Sequence, residues 1–493
     1  MRPTARPGQD IVPAPASVTS VSESAIKNVG DGLHPLTDSD QNQRLYAYEQ
    51  NVKSAFDAIV PTLKRIAALQ HEDDFESKAQ AIARDELGFD LPQETLADAW
   101  VDELDMRKLF AWSVFETYQR FSDEFFSGNS LIDDKTFQPF LIDCGFHTLD
   151  VSPCADGRLA HMISYVLRLP YRDVRRKSYA GAMFDIENSV EKWTETEFLR
   201  FREGRPNTAD EPTRYLKTVV YHFSSSDPRH QGCAAHGSDT GKAAQAGLDR
   251  LRAFQHAVQN SYCCGASIDL LLIGLDTDTD SIRVHISDED GRIELGSYVD
   301  SAEIYGETIN MDAQQAAMEV EDQVRAQGIR ATEGMIKLVC RLITSNISQM
   351  DYVNQFFNRR YADIGHAERF IGAGIGFEEI QLRNLTYFAY MNTVEEAAAD
   401  LDVGVKIFTG LKVTHGLPIP IVIRFDYHGH VPGARERAEA NCKRVADALR
   451  TRYAELAQSG LLHTLLAIRD CAAGETIEVL ESSVFLESTA GAH

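Results

Sequence analysis

Leu149 to Pro170 reads LDVSPCADGRLAHMISYVLRLP, and its two halves obey different periods. His147 to Ser152 alternates toward the period of a strand. From Gly157 onward, Leu159, Met162, Ile163, Val166 and Leu167 recur at helical steps, and Pro170 stops the run. The residues between them, Ser152-Pro153-Cys154-Ala155-Asp156-Gly157-Arg158, form a short polar junction. Strand, polar turn and helix in succession predict an α/β fold, in which ligands gather at the strand ends.

The same alternation continues on the C-terminal side. Leu216 to Phe223 is rich in strand formers, Asn260 to Ile286 reads as a hairpin turning through Asp276 to Asp280, and Glu319 to Ser345 reads as a helical segment. Ile419 to Asp426 is a predicted strand, Gly433 to Leu456 a helix, and Leu461 to Ile468 and Glu475 to Leu480 two more strands. IRFDYHGHVPGARERAEANCKRVADAL, from Ile423 to Leu449, repeats the order strand, polar loop, Gly, Arg, helix. Set beside the opening stretch it predicts an internal duplication whose second copy lacks the cysteine. Upstream, residues 44–130 are helical: Tyr46, Val52, Phe56, Ile59, Val60 and Leu63 share one face, and a second stretch, Leu96 through Phe126, shows Trp100, Leu104, Leu109, Trp112, Phe115, Tyr118 and Phe121. Residues 1–43 carry Pro3, Pro7, Pro13, Pro15 and Pro35 with few large apolar side chains, the composition of a disordered tail. The expected organisation is a tail (1–43), an α-helical domain (44–130), a first α/β lobe (131–380) and a second (381–493).

The chain has 493 residues, and its 49 basic against 74 acidic side chains give a net charge of −25. Such a surface repels phosphate backbones and anionic headgroups, which argues against nucleic-acid or membrane partners. The most apolar run, Ile268 to Leu275, is far too short to span a bilayer, and MRPTARPGQDIVPAP has no apolar signal core, so a cytoplasmic location is expected. Eight cysteines without a C-x-x-C pair exclude a thioredoxin-type redox site and do not make a disulfide framework, and the vicinal Cys263–Cys264 reads as two packing positions.

Chemistry concentrates in two places. Cys154 lies where a helix N-terminus would favour its thiolate, and Asp156 and Arg158 are spaced to pair in a tight turn. Tyr221-His222-Phe223, at a second strand end, precedes His230-Gln231-Gly232-Cys233-Ala234-Ala235-His236. A Cys/His cluster at the edge of an α/β sheet favours a metal. Two thiolates and one imidazole suit Zn²⁺ and leave a fourth position open, as catalytic sites do. From spacing alone His230 can replace His222. A structural zinc closed by His230 or His236 in a scaffold protein, and a metal-free thiolate enzyme using Cys154, are the competing readings.

C-x-D-x-R at a strand end with a later His and Cys resembles the zinc site of β-class carbonic anhydrases. The strings SPCADGRLAH and YHFSSSDPRHQGCAAHGS, with eleven residues from His222 to Cys233, resemble the carboxysomal carbonic anhydrases of α-type carboxysomes, formerly the ε class. The resemblance implies two β-carbonic-anhydrase-like lobes forming an internal pseudo-dimer, the second without zinc ligands. It implies Zn²⁺ on Cys154, His222 and Cys233, with water or hydroxide as fourth ligand. Asp156 would accept a hydrogen bond from that ligand, and Arg158 would hold Asp156 off the metal. The implied activity is interconversion of CO₂ and bicarbonate by zinc-bound hydroxide. The implied setting is the carboxysome shell beside Rubisco, as a dimer or larger homo-oligomer, with residues 1–43 the candidate tether to Rubisco or shell proteins.

Overall fold

Asp38 starts the first helix by accepting a hydrogen bond from the Gln41 N–H at 2.9 Å, the usual means of satisfying a free helical donor. The computed structural model describes residues 32–128, 135–170, 173–208, 210–261, 267–361, 366–391, 394–474 and 476–485. Most of the expected tail and the Cys263–Cys264 pair lie outside the described residues. The tail reading nevertheless extends too far. His34 and Asn42 are buried; the His34 N–H donates to Asp351 Oδ2 at 2.8 Å, and Asn42 Nδ2 donates to the Ser348 carbonyl at 3.0 Å. Composition registers few apolar residues there but not polar groups paired over three hundred positions.

Helices α1 (Ser39–Ala68), α2 (Phe75–Glu86), α3 (Gln93–Asp98) and α4 (Met106–Ser127) make up the helical N-terminal region. The buried stripe of α1 is Leu45, Val52, Phe56, Ile59, Leu63 and Ile66. Phe56 stacks on Phe370 at 5.8 Å, and Tyr118 of α4 meets the same ring edge-on at 5.4 Å. These helices share their core with residues of the second lobe's sheet, among them Phe370, Phe388, Val422 and Leu465.

The first lobe comprises α5 (Phe137–Asp143), β1 (Thr148–Pro153), β2 (Val174–Arg176), α6 (Ile186–Arg202), β3 (Arg214–Phe223), α7 (Thr240–Ser261), β4 (Ser267–Asp276), β5 (Ile282–Ile286), β6 (Val299–Asp300), α8 (Ser301–Thr308), α9 (Ala313–Gln327) and α10 (Glu333–Phe356). Its sheet runs β2-β1-β3-β4-β5-β6. The first four strands are parallel, and β5 and β6 are antiparallel additions. Register sets Ser152 opposite Val219 and His222 opposite Leu275, so β1 and β3 end side by side. β3 is buried from Tyr215 to Phe223, as in a strand covered on both faces.

Two expectations in this lobe change. Gly157 to Leu169 is not an α-helix but a 3₁₀ turn (Gly157–Leu159) followed by a π turn (Met162–Val166). Groups at the junction bond elsewhere: the Gly157 carbonyl accepts from Asn384 N–H at 2.9 Å, and His161 Nε2 lies 2.6 Å from Asp280 Oδ2. The apolar spacing is still satisfied, because Leu159, Met162, Ile163 and Val166 are all buried. The segment read as Glu319–Ser345 is two helices, broken before Thr332, whose side chain caps α10.

The second lobe comprises β7 (Phe370–Ile375), β8 (Thr386–Tyr390), α11 (Val394–Leu411), β9 (Ile419–Tyr427), α12 (Ala434–Arg452), α13 (Ala454–Gln458), β10 (Leu462–Asp470) and β11 (Glu478–Ser482). The order β11-β10-β9-β7-β8, with only β11 antiparallel, repeats the first lobe's serial order of second, first, third, fourth and fifth strand. The chain is therefore an α/β protein of two like lobes behind a helical region. The duplication is present in a different register from the one expected: β7 corresponds to β1, and β9 to β3. Pattern alone cannot separate two strand–loop–helix units of one lobe. The second sheet also starts with β7, ahead of residue 381. No helix among the described residues is long and apolar enough to cross a membrane.

Candidate metal centre

Adjacent strand ends bring three donors together. Cys154 follows β1 directly, forms a bridge with Tyr179, and donates its N–H to the Val220 carbonyl at 3.2 Å. His222 is the penultimate residue of β3, and Cys233 opens a 3₁₀ turn, Ala234–His236. Both sulfurs and a ring nitrogen of His222 lie within 4.8 Å of one another, and all three residues are buried. This is the one such group of Cys, His and carboxylate side chains among the described residues.

The donor chemistry fits a metal. Neither ring nitrogen of His222 has a hydrogen-bond partner, although the side chain is only 1% exposed. Buried polar groups are nearly always paired, so an idle imidazole beside two sulfurs has the character of a ligand set. Two soft sulfurs and one imidazole are a donor set that suits zinc. The Cys154 thiol is pushed well up by its hydrogen bond to Cys233 and by burial, while accepting that bond lowers Cys233. With no α-helix after Cys154, the expected dipole is absent.

Asp156 and Arg158 lock the loop. Asp156 Oδ1 accepts from Arg158 N–H and Nε, each at 2.9 Å, and Oδ2 accepts from Nη2 at 2.7 Å. Arg158 Nη1 donates to the Gln231 carbonyl at 2.9 Å, tying the turn after β1 to the loop that carries Cys233. Burial alone would raise the Asp156 pKa. The charge and hydrogen bonds of Arg158, helped by His222 and His366, instead hold it far below the usual carboxylate range. Asp156 Oδ2 stands 3.8 Å from His222 Nε2, close to the donors without bonding to them.

The second lobe forms one wall of the site. Ala155 packs with Ile371, Ala373, Tyr387 and Met391. Glu368 is fully buried, and its Oε1 presses on Gly157 so closely that a Cβ there would stand 2.2 Å away. His366 Nδ1 lies 2.9 Å from the same oxygen. The Tyr387 hydroxyl is buried without a hydrogen-bond partner. Burial and the charges of Asp400, Cys154, Asp156 and Glu368 raise its pKa. Sequence reasoning missed Glu368, His366 and Tyr387, because they lie more than a hundred residues beyond Cys233 and carry no motif of their own.

The remaining histidines stand apart from the cluster. His230 is exposed and pairs with Asp227, while His236 Nε2 lies 3.1 Å from the Gly181 carbonyl. His428 and His430 lie on the loop after β9, their rings 5.5 Å apart. At the second lobe's corresponding strand ends a guanidinium replaces the donor set. Arg424 bonds Glu379 and Tyr118 and pairs with Asp426 at 2.8 Å; Arg469 also reaches Asp426.

Three family descriptions match in series: Carboxysome Shell Carbonic Anhydrase, N-terminal over residues 34–126, catalytic domain over 136–366, and C-terminal over 367–484. The carboxysome shell carbonic anhydrase of Prochlorococcus marinus (strain MIT 9313) is 58% identical over 465 residues, covering 93% of this chain and 90% of its own. That of Parasynechococcus marenigrum (strain WH8102) is 57% identical, covering 92% and 79%. That of Halothiobacillus neapolitanus is 43% identical, covering 91% and 90%. On these matches the chain belongs to the carboxysome shell carbonic anhydrase family.

Proposed function

We propose that this enzyme of the lyase kind interconverts CO₂ and bicarbonate at one Zn²⁺ held by Cys154, His222 and Cys233, with Asp156 and Arg158 as its acting side chains. Cys154, His222 and Cys233 would hold the ion, which would supply Lewis acidity sufficient to make water a nucleophile for CO₂ near neutral pH. Asp156, whose carboxyl Arg158 holds below the usual carboxylate range, would accept a hydrogen bond from the nucleophile and orient it toward the substrate. Arg158 supplies the charge that keeps Asp156 ionised and, by gripping both its oxygens, stops it from occupying the open ligand position. The observation that carries this reading is His222: a buried imidazole with two idle nitrogens, between two cysteines and 3.8 Å from a carboxylate held elsewhere.

The rest of the reading follows from family resemblance. The enzyme works within the carboxysome at its shell and supplies CO₂ to Rubisco. It assembles as a homo-oligomer and uses residues 1–43 to meet Rubisco or shell proteins. The test is metal analysis of the purified protein alongside a CO₂-hydration assay before and after chelation. One zinc per chain, with activity lost on chelation and restored by zinc, supports the reading. A metal-free, thiol-reactive protein with no hydration activity overturns it.

A further inference from the structure

We propose that Lys412 is a modification site for CO₂ itself, its Nζ forming a reversible carbamate that pairs with Arg369. This goes beyond the function proposed above and does not need the metal.

A cleft of about 250 Å³ lies where the helical region meets the second lobe. Phe56 and Val60 of α1 and Phe110 and Val114 of α4 give it apolar walls, while Asp57, Arg369 and Lys412 supply its charges. Two cations against one carboxylate leave a local excess of positive charge in a chain of net charge −25. Arg369 directs both Nε and Nη2 to the same Asp57 oxygen, at 2.9 and 2.7 Å. Among the described residues its Nη1 has no hydrogen-bond partner, and Lys412 Nζ has neither a hydrogen bond nor an ion pair. The half-buried Lys412 instead holds its Nζ 5.8 Å from the centre of the Phe110 ring.

An unpaired amine beside apolar walls suits an uncharged electrophile. Burial, and then the charge of Arg369, push Lys412 down to about 8 against the opposing charges of Asp57 and Glu368. Desolvation next to a second cation is a recognised way of making a lysine nucleophilic. In the step R–NH₂ + CO₂ → R–NH–CO₂⁻ + H⁺, the Nζ lone pair forms a C–N bond. One C–O π pair moves onto oxygen, and the displaced N–H proton leaves to a buffer base. Nothing is oxidised or reduced. The product is a planar carboxylate, the shape a guanidinium binds best, and Arg369 Nη1 is the donor left to meet it.

The test incubates wild-type protein, labelled with ¹⁵N-lysine, with ¹³C-bicarbonate near pH 8 and records ¹³C spectra. Carbamates are then trapped by alkylation with a trialkyloxonium salt and mapped by mass spectrometry. The expected result is a ¹³C signal split by bonded ¹⁵N, with a trapped adduct at Lys412. Its yield exceeds that at exposed lysines such as Lys64 and Lys443 on the order of tenfold or more, since those amines stay almost wholly protonated. Lys412→Arg abolishes the split signal with circular dichroism unchanged, and Arg369→Gln lowers occupancy at fixed CO₂ on the order of tenfold. No adduct at Lys412, a yield there equal to that of Lys64 and Lys443, or bicarbonate bound without coupling to ¹⁵N overturns the proposal.

Discussion

Arg158 grips Asp156 by both carboxylate oxygens, Nε to Oδ1 at 2.9 Å and Nη2 to Oδ2 at 2.7 Å, and donates its remaining nitrogen to the Gln231 carbonyl. One side chain therefore sets the direction of the carboxylate and the position of the loop that carries Cys233. Both functions depend on planar, bidentate geometry that lysine lacks.

Replacing Asp156 by Asn keeps the shape but removes the charge. Asp156→Asn is expected to retain zinc while kcat/KM falls on the order of 10²-fold or more. Metal analysis with stopped-flow hydration checks this, and full hydration rates would show that Asp156 has no such part.

Arg158→Ala frees the buried Asp156. Zinc-loaded protein is expected to gain a carboxylate oxygen as fourth ligand and to lose activity, with both readable by X-ray absorption and assay. In the metal-free protein the unpaired buried charge should destabilise the fold by about 3–5 kcal/mol, measurable by denaturant unfolding.

Cys154→Ser removes a soft donor from a buried three-ligand set. Zinc content and activity should fall together, while circular dichroism stays that of the wild type. A variant that kept activity would place the metal elsewhere.

The second lobe offers a pH test. Burial, then Asp426, push Glu378 up to about 7 despite Arg424. A carboxyl whose folded pKa is raised contributes stability that is full below its unfolded value of about 4.3 and is lost as pH climbs through 7. Glu378→Gln, which mimics the protonated form, should match the wild-type Tm at pH 4 and exceed it at pH 8, the gap opening between those limits. A constant offset across that range would contradict the assignment.

Much of this was readable from residue order. β1, β3 and the β4–β5 hairpin follow from β-rich, period-two or continuously apolar runs. Placement at strand ends points to Cys154 and His222, while the full set with Cys233, Asp156 and Arg158 comes from the family resemblance, since spacing alone leaves His230 open. What escaped depended on tertiary partners. The 3₁₀ and π turns after Cys154 look like an α-helix because they bury the same apolar side chains. The register of the duplication was misread because β9 followed by α12 has the same pattern as the junction after β1. Glu368 could not be found from spacing, since only tertiary packing brings it against Gly157, with His366 bonded to its far side.

Zinc K-edge X-ray absorption on the purified wild-type protein tests the central claim most directly. The predicted coordination sphere is two sulfurs, one imidazole nitrogen and one non-protein oxygen, at one zinc per chain. A sphere closed by a second imidazole, or a fully active protein without zinc, would contradict it.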